Sequence, residues 1–224
     1  MMNTCFKAVI FDLDGTILDT LSDLADAMNI TLEKFGFPKR ELSHHRKAIG
    51  NGIRKYAERC IPEEALSDAL LDEFVAVAAQ DYKNNSTVKT TPFPGIKDLM
   101  DFLSENGISI SILSNKRNEI VTALSEHYFS EYSFDCVYGE LPGIPKKPDP
   151  AAALKIAADC GFDPHEVLFI GDSIYDVITG KNAGMKTLAV TWGNQDRETL
   201  ESENPDFIAD TAEEIINYIK TLNK

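Results

Sequence analysis

The sequence predicts a doubly wound, Rossmann-like α/β fold, a parallel sheet with helices on both faces, interrupted by an inserted all-helical cap. Short apolar runs rich in Val and Ile recur along the chain, each closed by a polar or glycine-containing turn. Helical patterns lie between them. One long segment, from Leu21 to about Tyr82, carries helical periodicity and no strand signal.

The first strand is Phe6 to Phe11, an apolar run broken by Asp12. The cap comes next, with helices expected over Leu21 to Phe35, Glu41 to Ile49, Ile53 to Cys60 and Glu63 to Gln80, separated by breaks at Phe37-Pro38 and Ile61-Pro62. Lys83 to Pro94, polar and then proline-rich, is the expected return linker. Back in the core, Ile96 to Glu105 reads as a helix stopped by Asn106-Gly107, and Ile108 to Leu113 as the second strand. Asp135 to Tyr138 is a weaker strand. Asp149-Pro150 supplies an N-cap and a first-turn proline for Ala151 to Cys160, which Gly161 ends. Strands at Val167 to Ile170 and Thr187 to Val190, a weaker one at Phe207 to Ala209, and helices at Ile174 to Ala183 and Ala212 to Leu222 complete the alternation. The expected division is therefore a core of residues 1–16 and 88–224 and a cap of 17–87. No internal repeat or low-complexity tract interrupts it.

With 224 residues, 43% of them hydrophobic, the chain can bury a real core. Its formal net charge of -14 argues against nucleic acid or an anionic membrane as partner. Cys5, Cys60, Cys136 and Cys160 form no C-x-x-C pair and read as reduced, mostly buried thiols. The N-terminal apolar run is too short for a signal segment and no later run approaches a membrane span, so the expected location is the cytoplasm. Oligomeric state is left open between monomer and homodimer.

In a parallel sheet ligands sit beyond the carboxyl ends of the strands, so the residues just past each strand belong to one site. Asp12, Asp14, Gly15, Thr16 and Asp19 come after the first strand, and Ser114, Asn115 and Lys116 after the second. Lys146-Lys147-Pro148 and Gly171-Asp172-Ser173 with Asp176 complete the edge. Carboxylates clustered at a buried strand end need a counter-charge. Acids, lysines and a hydroxyl gathered on one edge are the parts of a Mg2+ and phosphate site, since magnesium takes hard oxygen ligands and keeps several waters.

These motifs, D-x-D-G-T-x-x-D, S-N-K, K-P-x-P and G-D-S-x-x-D in that order, resemble the four motifs of the haloacid dehalogenase superfamily over nearly the whole chain. The helical insert, the turn Gly50-Asn51-Gly52, the S-N-K variant and Thr191-Trp192-Gly193 are similar to the phosphoglycolate phosphatases of that superfamily. The resemblance implies a magnesium-dependent phosphatase for a small phosphorylated metabolite. Asp12 would form an aspartyl phosphate, and Asp14 would protonate the leaving oxygen and then activate water. The Asp12 and Asp172 carboxylates and the Asp14 carbonyl would hold the metal, with Asp176 orienting its surroundings. Lys147 would neutralise the phosphoryl group, while the Ser114 hydroxyl and the Asn115 backbone N–H bind its oxygens. Thr16 and Lys116 are expected at the substrate, as are Gly52 and Arg54 from the cap turn.

Several residues carry a plainer reading. Asp19 is either a helix N-cap or a hinge residue. Lys146 reads as a solvated neighbour of Lys147. His44 and His45, adjacent on a helix and without a carboxylate at ligand spacing, are expected on the exposed surface. Trp192 is expected to pack. The leading substrate is 2-phosphoglycolate, ahead of pyrophosphate or sugar phosphates. A phosphomutase of the β-phosphoglucomutase kind and a non-enzymatic phospho-receiver remain as alternatives, the first disfavoured by Asn115-Lys116 and the second by the cap and by Asp14.

Overall fold

Four consecutive buried residues, Ala8–Phe11, form β1 in the computed structural model, which describes residues 6–222. Cys5 lies outside the described residues. Two short strands, β2 (Leu18–Asp19) and β3 (Thr91–Pro92), pair with each other and mark where the chain leaves the sheet and returns. The remaining strands are β4 (Ser109–Arg117), β5 (Cys136–Glu140), β6 (Val167–Gly171), β7 (Lys186–Val190) and β8 (Phe207–Ala209). The main sheet has the order β5-β4-β1-β6-β7-β8, with every pairing parallel. The central strands are buried on both faces, which explains their continuous apolar runs. The strand order reverses between β1 and β6, so the crevice beyond their carboxyl ends is the switch point at which such sheets bind ligands. Asp12 and Asp172 are the residues that leave those two strands.

The chain divides into two compact units, with breaks at Leu18/Asp19 and Thr91/Pro92. The smaller is all-helical: α1 (Leu21–Lys34), α2 (Leu42–Ala48), α3 (Gly52–Cys60) and α4 (Asp68–Asn85). It has its own core, in which Met28 and Leu32 meet Tyr56, Leu71 and Phe74. The last helix departs from the expected 63 to 80. Glu63–Ala65 is a single 3-10 turn after Pro62, Leu66 and Ser67 are extended, and α4 starts only where the Ser67 hydroxyl accepts the Leu70 N–H at 3.3 Å. It then runs to Asn85, taking residues expected in the linker. The segment beyond α4 is held by the buried carboxylate of Asp23 on α1, which accepts the Lys89 N–H at 2.9 Å and both the N–H and hydroxyl of Thr90, at 2.9 and 2.8 Å.

His45 contradicts its expected exposure. In the short helix α2 its face, shared with Ala48 one turn on, turns into the helical core, where the Tyr56 hydroxyl lies 2.7 Å from Nδ1. Among the described residues Nε2 has no hydrogen-bond partner. His44 is only partly buried, its Nε2 3.0 Å from the Arg59 carbonyl.

In the larger unit the helices are α5 (Ile96–Glu105), α6 (Asn118–Phe129), α7 (Ala151–Cys160), α8 (Ile174–Asn182), α9 (Arg197–Ser202) and α10 (Ala212–Leu222). Helices α6 and α9 were not anticipated. The first comes directly after a strand with no side-chain cap to announce it, and α9 has six residues with only Leu200 buried. The Asp196 carboxylate accepting the Thr199 N–H at 2.8 Å is the local signal that marks the start of α9. Strand β4 also runs past the expected end at Leu113 to Arg117, with a register shift against β5, so Ser114, Asn115 and Lys116 lie on the strand rather than after it. Cys60, Cys136 and Cys160 are free thiols; Cys160 is only partly buried and its sulfur lies 3.6 Å from that of Cys136.

Burial, with His44 beside it, pushes the His45 pKa down from 6.5 to about 4. Between those values the unfolded chain binds a proton that the folded chain refuses, so this residue's contribution is complete above about pH 6.5 and is lost as pH falls toward 4. Replacing His45 with Gln should therefore flatten the acid loss of stability by on the order of 3 kcal/mol. Urea unfolding of both proteins at pH 7 and pH 4.5 reads the difference; equal acid losses would show that His45 is not the titrating group.

Candidate active site

Asp12 leaves β1 with its N–H bonded to the Ile170 carbonyl at 2.9 Å, so the first motif starts in register with the end of β6. The chain then turns sharply: the N–H groups of Ile17 and Leu18 both reach the Leu13 carbonyl, at 3.1 and 3.0 Å. Gly15 makes the turn possible. Its φ is 85°, and a Cβ there would meet Asp172 Oδ2 at 2.1 Å. This close approach brings the first and fourth motifs together.

Asp12, Asp172 and Asp176 are all buried and can each offer a carboxylate oxygen within 4.8 Å of the others. Lys147 is buried among them, its Nζ 2.8 Å from Asp12 Oδ1 and 2.6 Å from Asp176 Oδ1. Lys146 points elsewhere, 3.1 Å from Glu140. Burial is the largest influence on Asp12 and, with Asp176 and Asp14 adding repulsion, outweighs Lys147 and raises its pKa to about 7. Asp172 is pushed well above the usual carboxylate range by burial and by Asp12 and Asp176. Burial works against the Lys147 ammonium, but Asp12 and Asp176 more than reverse it, and its pKa rises. One ammonium does not balance three buried carboxylates. A hard divalent cation fits this donor set, because it would restore the charge balance and take carboxylate oxygens as ligands.

The spacing of the fourth motif has a local explanation. Ser173 is the N-cap of α8, and Asp176, three residues on, returns Oδ2 to the Ser173 N–H and hydroxyl at 3.0 and 2.6 Å. Gly171 leaves room for this, since a Cβ there would lie 2.2 Å from Asp176 Cγ. With one oxygen on Ser173 and the other on Lys147, Asp176 is a support for its neighbours. Asp172 is held by the Asn194 N–H at 2.7 Å and, more weakly, by the Thr16 hydroxyl at 3.4 Å.

The second motif divides its work. Ser114 is buried and its hydroxyl accepts the Lys116 N–H at 3.3 Å. The Asn115 side chain faces the third motif, where Nδ2 donates to the Lys147 carbonyl at 3.0 Å and Oδ1 accepts the Lys147 N–H at 2.9 Å. This two-point clasp fixes the backbone that carries the buried lysine. Lys116 Nζ lies 2.7 Å from Asp14 Oδ1, both side chains largely enclosed.

Within the helical unit, Gly50, Asn51 and Gly52 take φ values of 111°, 63° and 84°, a tight turn into α3. Arg54 does not present a free guanidinium: it bonds to Asp72 and, at 3.2 Å, to Asp68, both on α4. The two carboxylates, i,i+4-spaced on the neighbouring helix, are exposed, so these are surface ion pairs. Asp19 is exposed and accepts the Leu21 N–H at 3.3 Å, a cap-like contact one residue before the N-cap position Thr20.

Sequence reasoning marked Thr191-Trp192-Gly193 only as a point of resemblance and did not bring the loop after β7 into the site. The Trp192 indole N–H donates to the Thr16 carbonyl at 3.0 Å, and Gln195 Oε1 accepts the Ile174 N–H at 2.8 Å. A Cβ on Gly193 would meet Asp172 Cβ at 2.3 Å and the Gly15 carbonyl at 2.5 Å. Trp192 was expected only to pack; a glycine between an indole donor and an amide after a buried strand is the signal for this contact. Gly193→Ala should cost about 1–3 kcal/mol by overpacking and displace Asp172. Chemical denaturation checks the first effect, and a weaker response of the single tryptophan's fluorescence to added magnesium checks the second.

Residues 9–190 match the family model of the haloacid dehalogenase-like hydrolases. A protein of Aquifex aeolicus named phosphoglycolate phosphatase is 31% identical over 95% of this chain and 96% of its own length. One from Pseudomonas aeruginosa, phosphoglycolate phosphatase 1, is 30% identical over 94% of this chain and 78% of its own. Among solved structures, a predicted phosphoglycolate phosphatase from Haemophilus somnus has a TM-score of 0.89 at 26% identity, covering 96% of this chain and 98% of its own.

Proposed function

The chain belongs to the haloacid dehalogenase-like hydrolases, and within them we propose a magnesium-dependent phosphatase that hydrolyses a small phosphorylated metabolite, 2-phosphoglycolate first among candidates, through an aspartyl phosphate on Asp12. The relatives named phosphoglycolate phosphatase support the substrate class. One observation carries the chemistry: a buried carboxylate, Asp12, with a buried ammonium at 2.8 Å and two further buried carboxylates beside it.

Asp12 attacks phosphorus, which splits hydrolysis into two easier displacements. Lys147 neutralises the approaching phosphoryl oxygens while Asp176 holds its ammonium in place. Ser114 Oγ and the Asn115 N–H bind the remaining oxygens, and the Asn115 amide keeps Lys147 at its post. Asp14 gives a proton to the leaving oxygen and then takes one from the water that cleaves the acyl phosphate. The Asp12 and Asp172 carboxylates with the Asp14 carbonyl are the residues that would hold Mg2+. When bound, the metal offsets the negative charge that would otherwise keep Asp12 and phosphate apart.

Phosphate release from 2-phosphoglycolate should require magnesium and stop on chelation, whereas calcium, with its larger and looser coordination, should not substitute. Turnover in excess chelator would reject the metal assignment. Asp12→Asn should abolish activity, because an amide is a poor nucleophile. Asp14→Asn is expected to lose about 10²- to 10⁴-fold in rate on an alkyl phosphate, the worth of proton transfer. With acetyl phosphate the leaving group departs unaided, so only the second displacement slows and the phosphorylated Asp12 accumulates. Mass spectrometry of the quenched Asp14→Asn protein should find a single phosphoryl group on Asp12; a label on another residue would overturn the division of labour.

A further inference from the structure

Among the cations gathered at this sheet edge, Lys147 is held by two carboxylates and Lys146 pairs with Glu140 away from the cluster. Lys116 differs from both. Its counter-ion, at 2.7 Å, is Asp14, whose side chain must turn to the leaving oxygen for the reaction to proceed. Both groups are largely withdrawn from water, with side chains 10% and 15% exposed, so the pair is not a loose surface contact. Separating it without compensation would cost the ammonium a carboxylate in a poorly hydrated place.

We infer that Lys116 is the specificity residue of this site, and that it exchanges Asp14 for a carboxylate on the substrate next to the scissile ester. The inference rests on the phosphatase reading. In a phosphate ester of a 2-hydroxy acid the carboxylate is two carbons from the ester oxygen, so its oxygens lie about 3–4 Å from that atom by bond lengths alone. Asp14, in hydrogen-bond reach of the ester oxygen, carries the ammonium at its own oxygen. The substrate carboxylate therefore arrives within reach of Nζ on the four-carbon lysine stem. Exchange keeps the ammonium paired throughout and frees Asp14 Oδ1, which takes up a solvent proton and passes it to the leaving oxygen. An ester with no anion at that distance leaves Lys116 on Asp14 and the acid occupied. Discrimination then appears in kcat as well as KM, because binding of the remote group is spent in preparing the reacting one.

Three readings test this. Wild-type protein with magnesium should cleave 2-phosphoglycolate with a kcat/KM at least about tenfold above that of its uncharged amide, 2-phosphoglycolamide, the low end of a charged hydrogen bond's worth. Lys116→Gln should collapse that ratio by about 10- to 100-fold, with part of the loss in kcat, and Lys116→Arg should recover some of it. Binding without turnover gives an independent measure: by calorimetry, 3-phosphonopropionate, which keeps the substrate's spacing with CH2 in place of the ester oxygen, should bind the wild type about tenfold or more tightly than propylphosphonate, and Lys116→Gln should lose this preference. Equal wild-type affinities for the two phosphonates overturn the assignment even if no variant folds. A ratio preserved in an active Lys116→Gln protein overturns it as well and places the discriminating cation elsewhere. Absence of wild-type phosphate release from either ester rejects the phosphatase reading itself, a result that no Lys116 variant is needed to see.

Discussion

One buried ammonium organises the centre of this protein. Lys147 stands between Asp12 and Asp176 at 2.8 and 2.6 Å, and Asp172 lies in the same cluster. Three carboxylates in this space repel one another and are denied water, which is why Asp12 and Asp172 hold their protons to higher pH than free carboxylates do. The lysine makes the cluster tolerable and leaves it short of positive charge. The surrounding structure keeps that lysine still. The Asn115 amide grips the Lys147 peptide on both sides, Asp176 is tied back to Ser173 at the start of α8, and the Phe169 ring lies 5.8 Å below the ammonium.

The glycines of the first motif and of the loop after β7 serve the same end by letting backbone and carboxylate approach closely. Gly15 and Gly193 both lie where a Cβ would strike Asp172, so the carboxylate is wedged between two turns and oriented by the Asn194 N–H. The strand ends that deliver these turns meet at the reversal of strand order. The sheet topology therefore does more than bring four motifs to one edge: it puts Asp12 and Asp172 just past the ends of adjacent strands, β1 and β6, with one register between them.

How much of this could be read beforehand depended on whether the signal was local. Alternating apolar runs and glycine stops are local, so the α/β order and the ends of α5, α7 and α10 were legible from Asn106-Gly107, Gly161 and the periodicity itself. Motif spacing pointed to Asp12, Asp14, Lys147, Asp172 and Asp176, and four of these meet in one cluster while Asp14 pairs with Lys116 beside it. The Asn115 clasp joins residues 32 apart and the Trp192 bond to Thr16 joins residues 176 apart, so no window of sequence contains either. His45 was misplaced for a related reason. A seven-residue helix has too few apolar positions to show its buried face, and the burial of His45 is decided by Tyr56 on the next helix. In the cap turn the glycines were legible as backbone, whereas the pairing of Arg54 with Asp68 and Asp72 on α4 joins residues 14 and 18 apart and was not.

The two lysines of the site illustrate what distinguishes a fixed charge from an exchangeable one. Lys147 has two carboxylate partners and a clasped backbone, so withdrawing it would expose two buried anions at once; under the proposed function it stays fixed where the phosphoryl group binds. Lys116 pairs with Asp14 from a strand position on a flexible stem, and under the proposed function that carboxylate is the group the chemistry needs released. A substrate anion placed beside the ester can take over the ammonium at no loss of pairing, whereas the same anion near Lys147 would have to displace two carboxylates. On the proposed reading, substrate choice and proton transfer become one event at Lys116, and the phosphoryl machinery around Lys147 stays common to any phosphate ester.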